Sequence, residues 1–254
     1  MLLVVDIGNS NIVLGVWRDG ELEHRFRLTT RHDATSDEYV GLLRSLFTPD
    51  WLGEQKFIGA AMSSVVPPLV PRMTKVIERL TDHEPLVVGP GVKTGLNILY
   101  EDPREVGADR IVNSVGALAQ HEPPLIVVDF GTATTFDVLQ PPADYLGGAI
   151  APGIDISREA LSERAAKLPL VELALPDDPV GRTTVESIRS GVLWGHGAMV
   201  DGLIAHIEER QGFSAKVVAT GGFGELMRRA SKRIELVDPN LTLVGLRIIW
   251  EKNQ

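Results

Sequence analysis

Two apolar runs in this chain end in the same way. Leu2-Leu3-Val4-Val5-Asp6-Ile7-Gly8-Asn9-Ser10 opens the sequence, and Leu125-Ile126-Val127-Val128-Asp129-Phe130-Gly131-Thr132 stands near its middle. Each places an unbroken aliphatic run before Asp-x-Gly and a small polar residue. Continuous apolar runs bounded by turn residues read as strands buried on both faces. A carboxylate at the end of such a strand, followed by a glycine turn, is an unusual place to put charge, and the chain does it twice.

The elements after each run match as well. Residues 12–17 and 21–28 read as two further strands joined at Asp19-Gly20, and residues 134–139 and 145–150 repeat them. Helical patterns come next over 36–47 and 155–167. Each half then gives a strand (57–62, 216–220), a helix (69–81, 224–231), a short strand (85–88, 234–237) and a last helix (106–120, 242–251). Both halves spell β-β-β-α-β-α-β-α. The second half carries an extra stretch over 168–202, interrupted by Pro169, Pro176 and Pro179 and resuming as a helix from Thr184. At 254 residues the chain is long enough to divide its core. The expectation is an α/β protein of two domains, residues 1–118 and 119–254, each a mixed five-stranded sheet flanked by helices. Two such units in tandem resemble the ribonuclease H-like layout of actin-like ATPases, sugar kinases and Hsp70, in which nucleotide sits between the domains.

Charge and composition narrow the function. Lys and Arg number 25 against 34 for Asp and Glu, a formal net charge of -9. No basic block supplies a footprint for nucleic acid. An anionic ligand therefore needs local backbone dipoles or single cations to reverse the field. Cysteine is absent, which removes disulfides and thiolate chemistry and fits a reducing compartment. The first apolar run is cut off by Asp6, far short of a secretory or membrane-spanning length, so the expected location is cytoplasmic, with no membrane partner.

Asp6-Ile7-Gly8-Asn9-Ser10-Asn11 meets that electrostatic condition: turn N–H groups, the Asn9 amide and the Ser10 hydroxyl are donors for a phosphate, and Asp6 would face Mg²⁺ through water. Asp129-Phe130-Gly131-Thr132-Ala133-Thr134-Thr135 is a second, hydroxyl-rich turn of the same kind, with Asp129 placed to hold a cation. Read locally, it is also a hairpin with a turn-forming aspartate. Gly107-Ala108-Asp109-Arg110 opens a helix. There Asp109 either complements the helix dipole or, beside an arginine, accepts a proton from a substrate hydroxyl. Thr220-Gly221-Gly222 follows a strand and permits close approach to a base or ribose, or simply makes a tight turn. Thr184 reads as a helix N-cap, and Trp194 and His196 as packing residues. Phosphate loops of the Walker type and dinucleotide fingerprints are absent. Asp129-Phe130-Gly131 lacks the partner motifs of protein kinases.

These segments, with Tyr100, Gly147-Gly148-Ala149-Ile150 and Pro152-Gly153, occur in order over nearly the whole chain and together resemble the type III pantothenate kinase family. The resemblance implies ATP-dependent phosphorylation of the primary hydroxyl of pantothenate to 4'-phosphopantothenate, the first step of coenzyme A biosynthesis. It further implies a homodimer using Mg²⁺ and K⁺ or NH₄⁺. On that resemblance Asp6, Ile7, Gly8, Asn9, Ser10, Asn11, Ile12, Val13 and Thr132 would bind ATP, and Asp129 the monovalent cation. Tyr100, Gly107, Ala108, Asp109, Arg110 and Thr184 would line the pantothenate site, with Asp109 as general base. Some members carry lysine where this chain has Val13, so more of the charge neutralisation would fall to metal ions. Two other classes remain open: a transcription accessory factor, which the acidic balance and Asp109 disfavour, and an actin- or Hsp70-type module acting on proteins. The apolar stretch 188–207, with Trp194, Met199 and Ile204, suits either a subunit interface or an internal helix.

Overall fold

The computed structural model describes residues 1–48 and 56–254. They gather into two compact units, one formed by Met1–Gly95, Asp102–Gly116 and Leu241–Gln254, the other by Leu96–Glu101 and Ala117–Asn240. The expected boundary at 118/119 follows the sequence repeat. The units follow packing instead, and so take the C-terminal helix into the first.

In the first unit, β1 (Leu2–Ile7), β2 (Asn11–Arg18) and β3 (Glu21–Thr29) form an antiparallel meander, and β4 (Gly59–Ser64) and β5 (Leu86–Val87) extend it in parallel beyond β1. The sheet order is β3-β2-β1-β4-β5. Helices α1 (Ser36–Leu46) and α2 (Val70–Thr81) cover one face. Their buried Tyr39, Leu43, Met73, Val76 and Ile77 meet Leu3, Val5, Ile7, Ile12 and Leu14 in one core. Thr35 caps α1 in a reciprocal box with Glu38, as its position before an apolar run dictates.

The second unit repeats this plan. β7 (Leu125–Phe130), β8 (Ala133–Gln140), β9 (Asp144–Pro152), β10 (Lys216–Gly221) and β11 (Leu236–Val237) pair in the corresponding order. The duplication reaches the level of single residues. β1 and β7 bury every position except Asp6 and Asp129, β2 and β8 share one burial pattern, and both meanders shift register at equivalent places, Val16/Trp17 and Val138/Leu139.

Three features depart from the sequence reading. The second sheet has six strands, because β6 (Asn97–Ile98) pairs in parallel with β9; a two-residue strand leaves no periodic signal. Helix α4 (Ile154–Arg164) stops earlier than expected, and the proline-bearing segment after it gives way to the 28-residue α5 (Thr184–Gln211). The cap of α5 is Thr183, one residue before the expected Thr184, and its hydroxyl accepts from the Glu186 N–H. Inside α5, Ile188, Val192, Leu193, His196, Val200 and Ile204 enter the second core, with Trp194 and Met199 packed against it. The inner face of the 188–207 stretch is thus an internal one. Helix α6 (Gly224–Ala230) lies between β10 and β11. No helix among the described residues is long and apolar enough to cross a membrane.

Helices α3 (Ala108–Gln120) and α7 (Leu241–Glu251) are the closing helices of the two sequence halves, and α7 packs on β1 and β4. They meet backbone to backbone: a Cβ on Gly245 would lie 1.9 Å from the Val112 carbonyl oxygen, and one on Gly116 2.3 Å from that of Leu241. Such a crossing tolerates no side chain. Gly41, on an exposed turn of α1, has open space beside it. The same substitution should therefore have opposite signs at the two sites. Gly245→Ala is expected to cost about 1–3 kcal/mol through overpacking, and Gly41→Ala to stabilise by roughly 0.5–1 kcal/mol. Urea unfolding of the two variants checks both.

Candidate active site

The end of β1 delivers Asp6 and a closed turn. The Gly8 N–H donates to the Asn11 carbonyl at 2.9 Å. The carbonyls of Gly8, Asn9 and Ser10 are each engaged from the chain beyond β3: Thr30 Oγ1 donates to Gly8 O at 2.7 Å, His32 Nε2 lies 3.2 Å from Asn9 O, and the Thr30 N–H donates to Ser10 O at 3.0 Å. A phosphate wants donors, and this turn has its acceptors already occupied. Asn9 and Ser10 are exposed, whereas the side chains of Ile7 and Ile12 are fully in the core and leave only backbone to offer a ligand.

Asp6 is held by Ser63 at the end of β4, whose hydroxyl donates to Oδ1 at 2.6 Å. Across β2, the Asn11 amide oxygen accepts from Arg27 Nε at 3.0 Å. Ser63, Thr30 and Arg27 were invisible to motif reading, because strand register, not sequence distance, brings them to the turn. For a metal, the fit is that of a single oriented carboxylate: no cluster of three or more His, Asp or Glu side chains exists among the described residues. Mg²⁺, which keeps several waters and binds through one or two carboxylates and substrate phosphates, is served by such an arrangement; a fully caged ion is not.

The second turn has the same construction. The Gly131 N–H donates to the Ala133 carbonyl at 3.1 Å, and Gly131 and Thr132 are exposed. Gly221, at the end of β10, takes a φ of +87° and lies so close that a Cβ would fall 2.5 Å from Asp129 Oδ1 and 2.5 Å from the Phe130 carbonyl. Only glycine fits there. Thr134 is buried and its hydroxyl lies 2.9 Å from Nε2 of His196, which also packs on Phe130. Burial depresses the His196 pKa, so the ring that supports this turn is neutral.

Asp109 stands in the first turn of α3, where Gly107 O accepts the Ile111 N–H and Asp109 Oδ1 accepts the N–H of Arg110 at 2.9 Å. Burial pushes its pKa above the usual aspartate value, against the pull of the Arg110 N–H and the Arg110 charge. The dipole role is therefore real, yet burial outweighs it, leaving a carboxylate that takes up a proton more readily than a surface one. Arg110 itself is buried.

The compact units divide the expected residues. Asp6–Val13 and Gly107–Arg110 belong to the first; Tyr100, Asp129, Thr132 and Thr184 belong to the second. Tyr100 follows β6 on the edge of the second sheet, its ring 3.1 Å from where a Cβ on Gly147 would stand. Thr184 lines an open groove of about 480 Å³ with Leu161, Leu168, Arg182 and Ser187. None of the other expected site residues lines it.

The family model described as type III pantothenate kinase matches residues 2–206. The chain belongs to the type III pantothenate kinase family. The type III pantothenate kinase of Myxococcus xanthus is 51% identical over 253 residues, covering 100% of this chain and 99% of that one. That of Brevibacillus brevis is 50% identical over 254 residues, covering 100% of both. Among solved structures, a ROK hexokinase from Thermus thermophilus superposes with a TM-score of 0.54 at 12% identity, covering 100% of this chain and 99% of that one. The likeness at that identity is one of fold, the α/β fold of actin-like ATPases and ROK kinases.

Within this pantothenate kinase family member, Gly107 and Asp109 are sterically linked. A Cβ on Gly107 would come 2.5 Å from Asp109 Oδ1, the movable end of a side chain. Gly107→Ala should therefore fold normally but displace the carboxylate. The expected outcome is a melting temperature within about 2 °C of native and a fall in kinase kcat of up to about 10²-fold. An unchanged kcat would show that the Asp109 position is not critical.

Proposed function

We propose that this chain transfers the γ-phosphoryl group of ATP to the primary hydroxyl of pantothenate, giving 4'-phosphopantothenate and ADP, the first step of coenzyme A biosynthesis. The observation that carries this reading is full-length identity of about one half to proteins named type III pantothenate kinase. The geometry of the two turns and of Asp109 supports it.

In this reading the turns after β1 and β7 bind the phosphates of ATP through main-chain donors, with the Asn9 amide and the Ser10 and Thr132 hydroxyls beside them. Tyr100 and Gly107 to Arg110 bind pantothenate, Arg110 supplying the charge that orients its carboxylate. The Asp109 carboxylate takes the proton of the attacking hydroxyl; that oxygen bonds to the γ-phosphorus as its bond to the β,γ-bridging oxygen breaks. ADP leaves, and Asp109 returns the proton to solvent. Phosphoryl transfer asks chiefly for in-line positioning and charge neutralisation, and no covalent enzyme intermediate is needed. Mg²⁺ beside Asp6 and a monovalent cation, K⁺ or NH₄⁺, beside Asp129 would supply positive charge to the phosphates.

A homodimer belongs to the same reading. Val180 is 71% exposed and Leu170 58% exposed, large apolar side chains on the segment around Thr184. Their burial against a second copy would remove that surface from water and bring Thr184 to the partner's substrate.

The test is ATP-dependent phosphorylation of pantothenate by the native chain and by Asp109→Asn, with and without K⁺. Asparagine keeps the shape and removes the base, so kcat should fall by about 10²–10⁴-fold. The pH dependence has a definite sign. The folded pKa of Asp109 lies above its unfolded value, so the acid limb of kcat/KM should lie above the ordinary aspartate range. Ionising the group also costs stability as pH rises through that window, so Asp109→Asn should melt no lower than native at neutral pH. No turnover by a native chain that binds ATP would overturn the assignment.

A further inference from the structure

The first phosphate turn has no basic residue at Val13, yet strand register brings one beside it. Asp6 pairs with Ser63 on β4 and with Val13 on β2, and Val13 pairs with Arg27 on β3. Directly paired residues project from the same face of a sheet. Ser63, Asp6, Val13 and Arg27 therefore form one transverse row at the turn end of the sheet. Ile7, Ile12, Phe26 and Leu28, their neighbours along the strands, belong to the core on the opposite face.

Arg27 is exposed and bound on one side only. Its Nε donates to the Asn11 amide oxygen at 3.0 Å, the single hydrogen bond of this guanidinium among the described residues. The two terminal nitrogens are left for another acceptor. The other arginines near the turn are committed elsewhere. Arg31 pairs with Glu38 at 3.8 Å, and Arg72 donates to the carbonyls of His32 and Ala34. A guanidinium fixed through Nε presents its remaining donors as a fork, the geometry that suits phosphate oxygens. A chain of net charge -9 with a carboxylate in the same row needs such a cation to hold a polyanion.

We propose that Arg27 binds the triphosphate of ATP, reaching the first turn from the neighbouring strand and supplying the positive charge that position 13 lacks. This rests on the reading that the turn after β1 holds ATP phosphates. Arg27 takes no part in proton transfer, so it acts on ATP affinity and leaves pantothenate binding alone.

The experiment measures ATP affinity by calorimetry in the presence of Mg²⁺, and turnover with pantothenate, for native protein, Arg27→Gln, Arg27→Lys and the double variant Val13→Lys/Arg27→Gln. Glutamine keeps a donor for Asn11 and removes the charge, so a loss reports the charge and not support of Asn11. Arg27→Gln should weaken ATP binding and raise the KM for ATP by about ten- to a hundredfold, with the KM for pantothenate within about twofold of native. Arg27→Lys, and the double variant with lysine on the adjacent strand and the same face, should recover most of that loss. Native-like ATP affinity in Arg27→Gln, or a loss that neither lysine repairs, would overturn the proposal. The two readouts separate it from the reading beneath it. A native chain that binds ATP but leaves pantothenate unphosphorylated defeats the kinase assignment, while the affinities still judge Arg27. A native chain that binds no ATP defeats both.

Discussion

A strand buried on both faces has room for chemistry only at its end, and the candidate site depends on that constraint. β1 and β7 are apolar until their penultimate residue, where Asp6 and Asp129 emerge. Every flanking strand aligns on these two: antiparallel β2 and β8 on one side, parallel β4 and β10 on the other. Parallel neighbours end where the central strand ends, so their last residues arrive at the turn as well. Ser63 reaches Asp6 from β4, and Gly221 closes on Asp129 from β10. The core thus determines where the polar groups stand, and the turns inherit a fixed geometry from burial several residues away.

Electrostatics at Asp109 show two effects in competition. A carboxylate at a helix start is favoured by the exposed N–H groups, and Asp109 does accept one from Arg110. On an exposed helix that interaction would hold the pKa down. Here burial is the larger influence and raises it. The outcome is a group restrained in position by a hydrogen bond yet tuned toward proton uptake, the combination a base beside a substrate hydroxyl requires.

Much of this was legible in the sequence because the responsible signals are local. Unbroken aliphatic runs, Asp-x-Gly turns and helix starts declared both halves, and the order of elements declared the duplication. The features that escaped are non-local. The pairing of Arg27 with Val13 depends on register across a hairpin, and the hold of Ser63 on Asp6 spans most of the first sheet's residues. β6 was missed because two residues carry no period. The place of α7 beside β1 was missed because sequence order says which half a helix follows, not which core it enters. Thr183 and Thr184 are chemically alike, and only the accepted Glu186 N–H distinguishes cap from first helical residue.

The central claim is that two copies of one strand-and-turn device act together as phosphate cradles. Amide hydrogen exchange with and without Mg²⁺ and ATP tests it most directly, since bound phosphate oxygens should slow exchange of the N–H groups they accept from. Slowing at both residues 8–11 and 130–133, in the same titration and to saturation together, is the predicted result. Slowing at one turn alone, or only in the groove around Thr184, would contradict the account.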